Sequence, residues 1–287
     1  VWVGGASGGV WKSTDGGARF TPMFDEQDCT SIGAIAIDPH TPDVVWIGTG
    51  EANLRNSASV GRGVYRTRDG GRTWQKLGLE KTEHIHRILL HPTDPNVVAI
   101  TSADDKAYLW HLDQPTSASN PLVLATSDND MQAADFTDDG TLLAAGDASG
   151  AVWLWDTTDT ANPRQLGEPT RGPQSVVYGV DFEPGTRRLA GAVQDGTVWV
   201  WDVNDAGTAE LFATLDAPSE AANVVRFAPG GRFLVSAGSE RRLHVWDLDV
   251  GATIDWACER TGDKLSAEEW AKYTGNTGTP PLSCPEA

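Results

Sequence analysis

Short apolar runs recur along this chain between polar stretches, from its start to about residue 250. AIAI at 34–37, VVWIG at 44–48, RILL at 87–90 and VVAI at 97–100 are examples. Runs of four to six residues, rich in Val, Ile and Trp and bounded by turn signals, predict β-strands. Asp-Gly-Gly, Asp-Pro and similar turn signals separate the runs. One helix is predicted, near the C-terminus. Ser266 reads as an N-cap with Glu269 three residues later, a capping box for AEEWAKY, and Gly275 ends it.

The strands recur on a fixed period. AYLWHLD at 107–113, AVWLWDT at 151–157, TVWVWDV at 197–203 and LHVWDLD at 243–249 place Trp110, Trp155, Trp201 and Trp246 at intervals of 45 or 46 residues. A period in the forties with four short strands per unit is the arithmetic of a β-propeller blade. A second register spans more of the chain. The runs AIAIDP, RILLHP, AADFTD, GVDFEP and VVRFAP end at Pro39, Pro92, Asp138, Pro184 and Pro229, at intervals of 53, 46, 46 and 45. The fold class is therefore all-β: one propeller over 1–287, with six blades of four-stranded antiparallel sheets. The first blade lacks a visible inner strand. ATIDWACERT, from Ala252, is expected to supply the outer strand of the last.

The first eighty residues use a different device. GGVWKSTDGGARF at 8–20 aligns with RGVYRTRDGGRTW at 62–74, with Asp15 and Asp69 separated by 54 residues. In each copy a strand enters an Asp-Gly-Gly turn, whose central residues take positive φ, and leaves through Phe20 or Trp74. The pattern S/T-x-D-x-G-x-x-W/F resembles the Asp-box of bacterial neuraminidase-type repeats. Ser13, Asp15, Gly17 and Phe20 fit it, as do Thr67, Asp69, Gly71 and Trp74. The wider context over residues 1–102 resembles the sortilin-like propellers of secreted bacterial proteins. That resemblance implies a structural turn between the two outer strands of a blade and favours an extracytoplasmic location.

From about residue 103 the chain resembles actinobacterial WD-repeat propellers instead. The dipeptide stands at Trp155–Asp156, Trp201–Asp202 and Trp246–Asp247, with Trp110–His111 a degenerate copy. The family's structural Asp, six residues before each Trp, falls on Asp104 and Asp195 but is replaced by Ser149 and Glu240, and the family's Gly-His pair is absent. Residues 103–255 are read as WD-type blades and 256–287 as a tail with the short helix. The junction lies inside one blade, without a Pro/Ser-rich linker, which favours one continuous propeller over two domains; the change of style, the charge step and the missing inner strand suggest recombined half-propellers, natural or engineered.

Charge adds to this division. The net charge of −18 is divided into −1 over residues 1–102 and −17 over the rest. Such an acidic second half repels phosphates and disfavours nucleic acid. No run of about 18 apolar residues predicts a membrane span, and no basic, apolar leader opens the sequence. Cys29, Cys258 and Cys284 lack the CxxC spacing of a zinc site. Cys258 and Cys284 can staple the tail in an oxidising compartment, leaving Cys29 unpaired.

Candidate chemistry converges on one face. The long loop at 49–62 and the connections at 24–31 and 80–84 are expected to bring Glu51, Asn53, Arg55, Asp28, His84, His86 and Arg87 to the axial mouth. The alternative is an Arg55–Glu51 pair that pins the long loop. His84 and His86 alternate on a strand, so they point to one side; with Glu51 or Asp28 they make a sparse zinc set. Glu51 and Asp28 are also the available carboxylate pair for a glycosidase. The arginine triad of sialidases has no counterpart, however, and no nucleophile-elbow motif exists. The reading is a non-enzymatic scaffold for protein partners without a cofactor, whose incompletely closed first blade offers an edge to another chain. The alternative is a carbohydrate-binding or glycan-hydrolysing propeller using the same mouth.

Overall fold

The computed structural model describes residues 1–52, 59–112, 121–216 and 221–253. They form six antiparallel sheets in series. The first sheet holds β1 (Trp2–Gly5), β2 (Gly9–Lys12) and β3 (Thr21–Pro22); the second holds β4 (Ile32–Ile37), β5 (Val45–Thr49), β6 (Val64–Thr67) and β7 (Gln75–Gly78). The third holds β8 (Ile85–Leu90), β9 (Val97–Ser102), β10 (Lys106–His111) and β11 (Leu122–Thr126). The fourth holds β12 (Met131–Phe136), β13 (Leu142–Asp147), β14 (Val152–Asp156) and β15 (Arg164–Gln165). The fifth holds β16 (Val177–Phe182), β17 (Arg188–Val193), β18 (Thr197–Val203) and β19 (Ala209–Asp216); the sixth holds β20 (Ala222–Phe227), β21 (Phe233–Gly238) and β22 (Leu243–Asp247). Each strand pairs with the next in its sheet, the meander of a propeller blade.

The first strands β4, β8, β12, β16 and β20 pack side by side in that order and line the axis. Five apolar cores bind the sheets, each shared by consecutive neighbours. Val10 and Phe24 meet Ile47 and Tyr65; Trp46 and Val64 meet Ile85 and Ile88; Ala107 and Leu109 meet Met131 and Phe136. Val152 and Leu154 meet Val177 and Val180, and Val198 and Val200 meet Ala222 and Val225. Strands buried on both faces explain why V-W-L-W and V-W-V-W lack polar positions. Trp110, Trp155 and Trp201 are almost wholly buried.

The first sheet has three strands, and β1 aligns with β5: Trp2, Val3 and Gly4 match Trp46, Ile47 and Gly48. Among the described residues no strand fills the innermost place of this sheet, as the sequence predicts. In the last sheet three strands are described, and the outer strand expected from Ala252 falls almost wholly outside the described residues. Residues 250–253 are helical rather than extended. Asp249 caps this turn, its Oδ1 accepting the Ala252 N–H at 2.9 Å. The rest of ATIDWACERT, the predicted AEEWAKY helix, Cys258 and Cys284 lie outside the described residues. Cys29 is a buried free thiol.

The two Asp-Gly-Gly turns are built alike. Ser13 Oγ donates to Asp15 Oδ1 at 2.8 Å and accepts the Gly17 N–H at 2.8 Å, while Arg19 N–H reaches Asp15 Oδ1 at 2.9 Å. Thr67, Asp69, Gly71 and Thr73 repeat this at 2.8, 2.9 and 2.9 Å. Gly17 and Gly71 sit at φ +98 and +94, where a side chain would be strained. Both turns join the two outer strands of a sheet, β2 to β3 and β6 to β7. Trp74 closes the second, donating through Nε1 to the Met23 carbonyl at 2.7 Å.

Candidate functional site

Five of the first strands carry a β-bulge at one and the same place. The register slips between Ile32 and Ala34, Ile85 and Arg87, Met131 and Ala133, Val177 and Gly179, and Ala222 and Val224. The extra residues are Gly33, His86, Gln132, Tyr178 and Asn223, each six positions before the strand exits at Pro39, Pro92, Asp138, Pro184 and Pro229. A bulge re-aims one side chain out of the alternating pattern. Here all five residues line one axial pocket of about 680 Å³, together with Ala52, Asp130, Ala148 and Val176. Gly33 contributes backbone only, because a Cβ there would stand 2.2 Å from the Ile85 carbonyl oxygen and 2.5 Å from that of Gly50.

The pocket wall is a set of hydrogen-bonding groups. His86 donates through Nδ1 to the Met131 carbonyl at 2.8 Å, so its proton is on Nδ1. Burial holds its pKa below the ordinary value and keeps it neutral. Tyr178 accepts from Gln194 Nε2 at 2.9 Å and retains its own O–H for donation. Gln132 and Asn223 add amides. Burial and the neighbouring Asp105 carboxylate push the Asp130 carboxyl up.

Deeper along the axis lies a charge group that composition does not reveal. Asp135 accepts the Phe182 N–H at 2.8 Å, Asp181 accepts the Phe227 N–H at 2.7 Å, and Arg226 donates to Asp181 at 2.9 Å. Each carboxylate thus ties one first strand to the next. Burial pushes Asp135 up to about 6, against the pull of the Phe182 N–H and of the nearby Arg226 and Arg87.

The predicted mouth residues are distributed differently from expectation. His86 lines the pocket. His84 is buried just before β8 and is not part of the pocket wall. The bulge between the two histidines interrupts the alternation from which they were read as pointing one way. Arg87 faces the deeper charge group, beside Arg226, Asp135 and Asp181. Glu51 is buried at the base of the long loop, whereas Asn53 and Arg55 lie outside the described residues. Asp28 is drawn toward the outer strands, accepting from Tyr65 O–H and from Lys76 Nζ at 3.1 Å. It therefore cannot serve as a carboxylate partner across the axial pocket. Among the described residues no three His, Cys, Asp or Glu side chains come together as a metal site.

The sequence reading missed Gln132, Tyr178, Asn223 and Asp130. The signal was present: they share the registers of His86 and His84, six and eight places before each strand exit. The rim of the mouth also differs from expectation. The residue two before each signature Trp bonds a polar group in or next to the preceding turn. Tyr108 donates to Asp104, Trp153 to Asp147 at 3.0 Å, and Trp199 to Thr197 at 2.9 Å, itself held by Asp195. His244 contacts Glu240. Asp147 also binds Ser127, Ser149 and the Ala151 N–H. The turn-to-strand network therefore exists without the family's usual residues at Ser149 and Glu240. Asp156, Asp202 and Asp247 pair instead with Arg164, Arg188 and Arg232 at 3.2, 2.7 and 2.7 Å.

Comparison with known families agrees with the second half of this architecture. The chain matches the WD40 family (WD domain, G-beta repeat) over residues 117–156, 166–202 and 209–247. Three such repeats and the repeated antiparallel sheets make this a WD-like β-propeller. No curated protein matches the chain. Among the described residues no helix is long and apolar enough to cross a membrane.

Proposed function

We propose that this chain is a non-enzymatic propeller scaffold that binds another protein at its axial mouth. The supporting observation is the bulge ring, which commits one residue position from five successive strands to a single pocket. Rigid first strands hold that pocket while adaptable amides, a phenol and an imidazole furnish its contacts. The acidity of the second half disfavours nucleic acid as the partner. The bonded Asp15 and Asp69 turns support kinship of the first two sheets with Asp-box propellers, joined within the third sheet to WD-type blades as a hybrid.

The test is affinity capture from a relevant lysate, comparing the native protein with Gln132→Ala/Tyr178→Ala/Asn223→Ala. A protein retained at micromolar affinity by the first and lost by the variant is the expected result. Equal retention by both removes the mouth from the account. Turnover of a chromogenic glycoside that Glu51→Gln abolishes would overturn the non-enzymatic reading.

A further inference from the structure

On the face opposite the mouth, a second pocket of about 510 Å³ lies between the first and second sheets. The turns that form it follow β2, β4 and β6, so described elements of both sheets build its walls. The two Asp-Gly-Gly turns supply Asp15, Arg19, Asp69 and Arg72, and the connection from β4 to β5 supplies Asp43. Gly70, which is buried, holds these parts together. Its N–H donates to the Asp43 carbonyl at 2.9 Å, and its carbonyl accepts from Lys12 Nζ at 3.0 Å. It sits at φ +69, and a Cβ there would stand 2.7 Å from both Lys12 Nζ and Asp43 Oδ1. Only glycine leaves room for an ammonium and a carboxylate at this one point of the wall.

The wall carries three cations and three carboxylates, but they are not equally engaged. Asp15 accepts from the Arg19 N–H and from Ser13 Oγ. Asp69 accepts from the Thr73 hydroxyl and N–H and from Thr67 Oγ1. These bonds, led by the Arg19 N–H in one turn and the Thr73 hydroxyl in the other, hold both carboxyls below their ordinary range. Both carboxylates are thus committed to their own turns. Among the described residues the guanidiniums of Arg19 and Arg72 have neither a hydrogen bond nor an ion pair, and both side chains are exposed. Lys12 rests over the Trp2 ring, 4.9 Å from its centroid, and the Gly70 carbonyl takes one of its three N–H donors. The Asp43 carboxylate is likewise without a partner among the described residues.

We propose that this pocket binds a small polyhydroxylated ligand bearing one oxyanion, a phosphate or a carboxylate. Arg19 and Arg72, one from each turn, hold the oxyanion through the paired N–H donors of their guanidiniums, and Lys12 adds a point charge. The pocket is much larger than an oxyanion alone, and Asp43, Thr14 and Thr21 are left to bond ligand hydroxyls. The balance of −1 over residues 1–102 lets an anion approach here, where the −17 of the rest repels it elsewhere. No residue of this pocket lines the axial mouth, so either function can fail without the other.

The test is calorimetric titration of the full chain with glucose 6-phosphate, glucuronate, glucose and inorganic phosphate. Saturable binding of glucose 6-phosphate or glucuronate is expected, and the tighter of the two assigns the oxyanion as phosphate or carboxylate. Glucose and inorganic phosphate, each lacking half of the recognised chemistry, are expected to bind at least about tenfold more weakly. Arg19→Gln/Arg72→Gln, at exposed positions without bonds in the fold, is expected to weaken the tighter probe at least about tenfold. Asp43→Asn is expected to weaken that probe and leave inorganic phosphate unchanged. Gln132→Ala/Tyr178→Ala/Asn223→Ala is expected to change nothing. Absence of binding by both sugar anions would overturn the proposal. So would binding that the arginine pair does not affect, or inorganic phosphate that binds as tightly as either sugar anion.

Discussion

β18 and β22 carry the same pattern in different surroundings. Val198 and Val200 on β18 are sealed by the sixth sheet, while Leu243 and Val245, at the same places on β22, face outward; Trp201 packs on the fourth sheet and Trp246, only half-buried, on the fifth. Alternation in a strand thus records what a blade is shaped to meet. Whether it is met depends on the next sheet, a long-range fact that no local pattern contains.

The largest expected difference is at the signature tryptophans. Trp201→Ala, which empties a core site, should cost about 3–5 kcal/mol in chemical denaturation. Trp246→Ala should cost less than half as much. Its ring is partly exposed and its main specific bond is Nε1–H to Ser236 Oγ at 3.0 Å. Equal losses would mean that Trp246 is packed against the fifth sheet as deeply as Trp201 is against the fourth.

Local bonding should not distinguish end from middle. Ser13→Ala at the open first sheet and Thr67→Ala inside the second should each cost about 1–2 kcal/mol, because both hydroxyls are buried and organise the same turn. A clearly smaller cost for Ser13→Ala, measured by the same denaturation, would show that the first sheet is loosened beyond its missing neighbour.

Titration separates the axis from the turns. The Asp135 pKa of about 6 lies above the ordinary 3.8, so the native state binds this proton more tightly than the unfolded chain. Its contribution therefore makes stability fall as pH rises from about 4 to about 6, and Asp135→Asn should remove that slope. Asp15 and Asp69 act oppositely. Hydrogen bonds lower both pKa values, so their stabilisation is present above the ordinary carboxylate range and lost as pH falls. Stability measured against pH in the native protein and Asp135→Asn checks both signs.

Much of the architecture was legible because propeller strands are short, repeated and apolar on both faces. The exits at Pro39, Pro92, Asp138, Pro184 and Pro229 marked five inner strands, and the two Asp-Gly-Gly motifs marked their turns. The mouth was less legible for a geometric reason. A bulge breaks the period of two, so the direction of His86 could not follow from its spacing to His84. Asp28 went astray because Tyr65 and Lys76, distant in sequence, offered it closer partners. Glu240 was read as a lost contact because its partner, His244, stands where the other repeats carry Tyr108, Trp153 and Trp199.

The smallest expected effect is at the open face itself. Val245→Lys should shift stability by no more than about 0.5 kcal/mol, whereas Val200→Lys should prevent stable folding by burying a charge. Thermal melts of the two variants make the check.

Thiol labelling tests the difference between middle and end most directly. Val200→Cys and Val245→Cys, each in a Cys258→Ser/Cys284→Ser background with Cys29 buried, are exposed to a maleimide under native conditions. The expected result is rapid labelling at 245, near the rate of the unfolded chain, and labelling at 200 only when the protein unfolds. Slow labelling at both sites would mean a closed ring, and rapid labelling at both would mean that the sheets do not pack as one series.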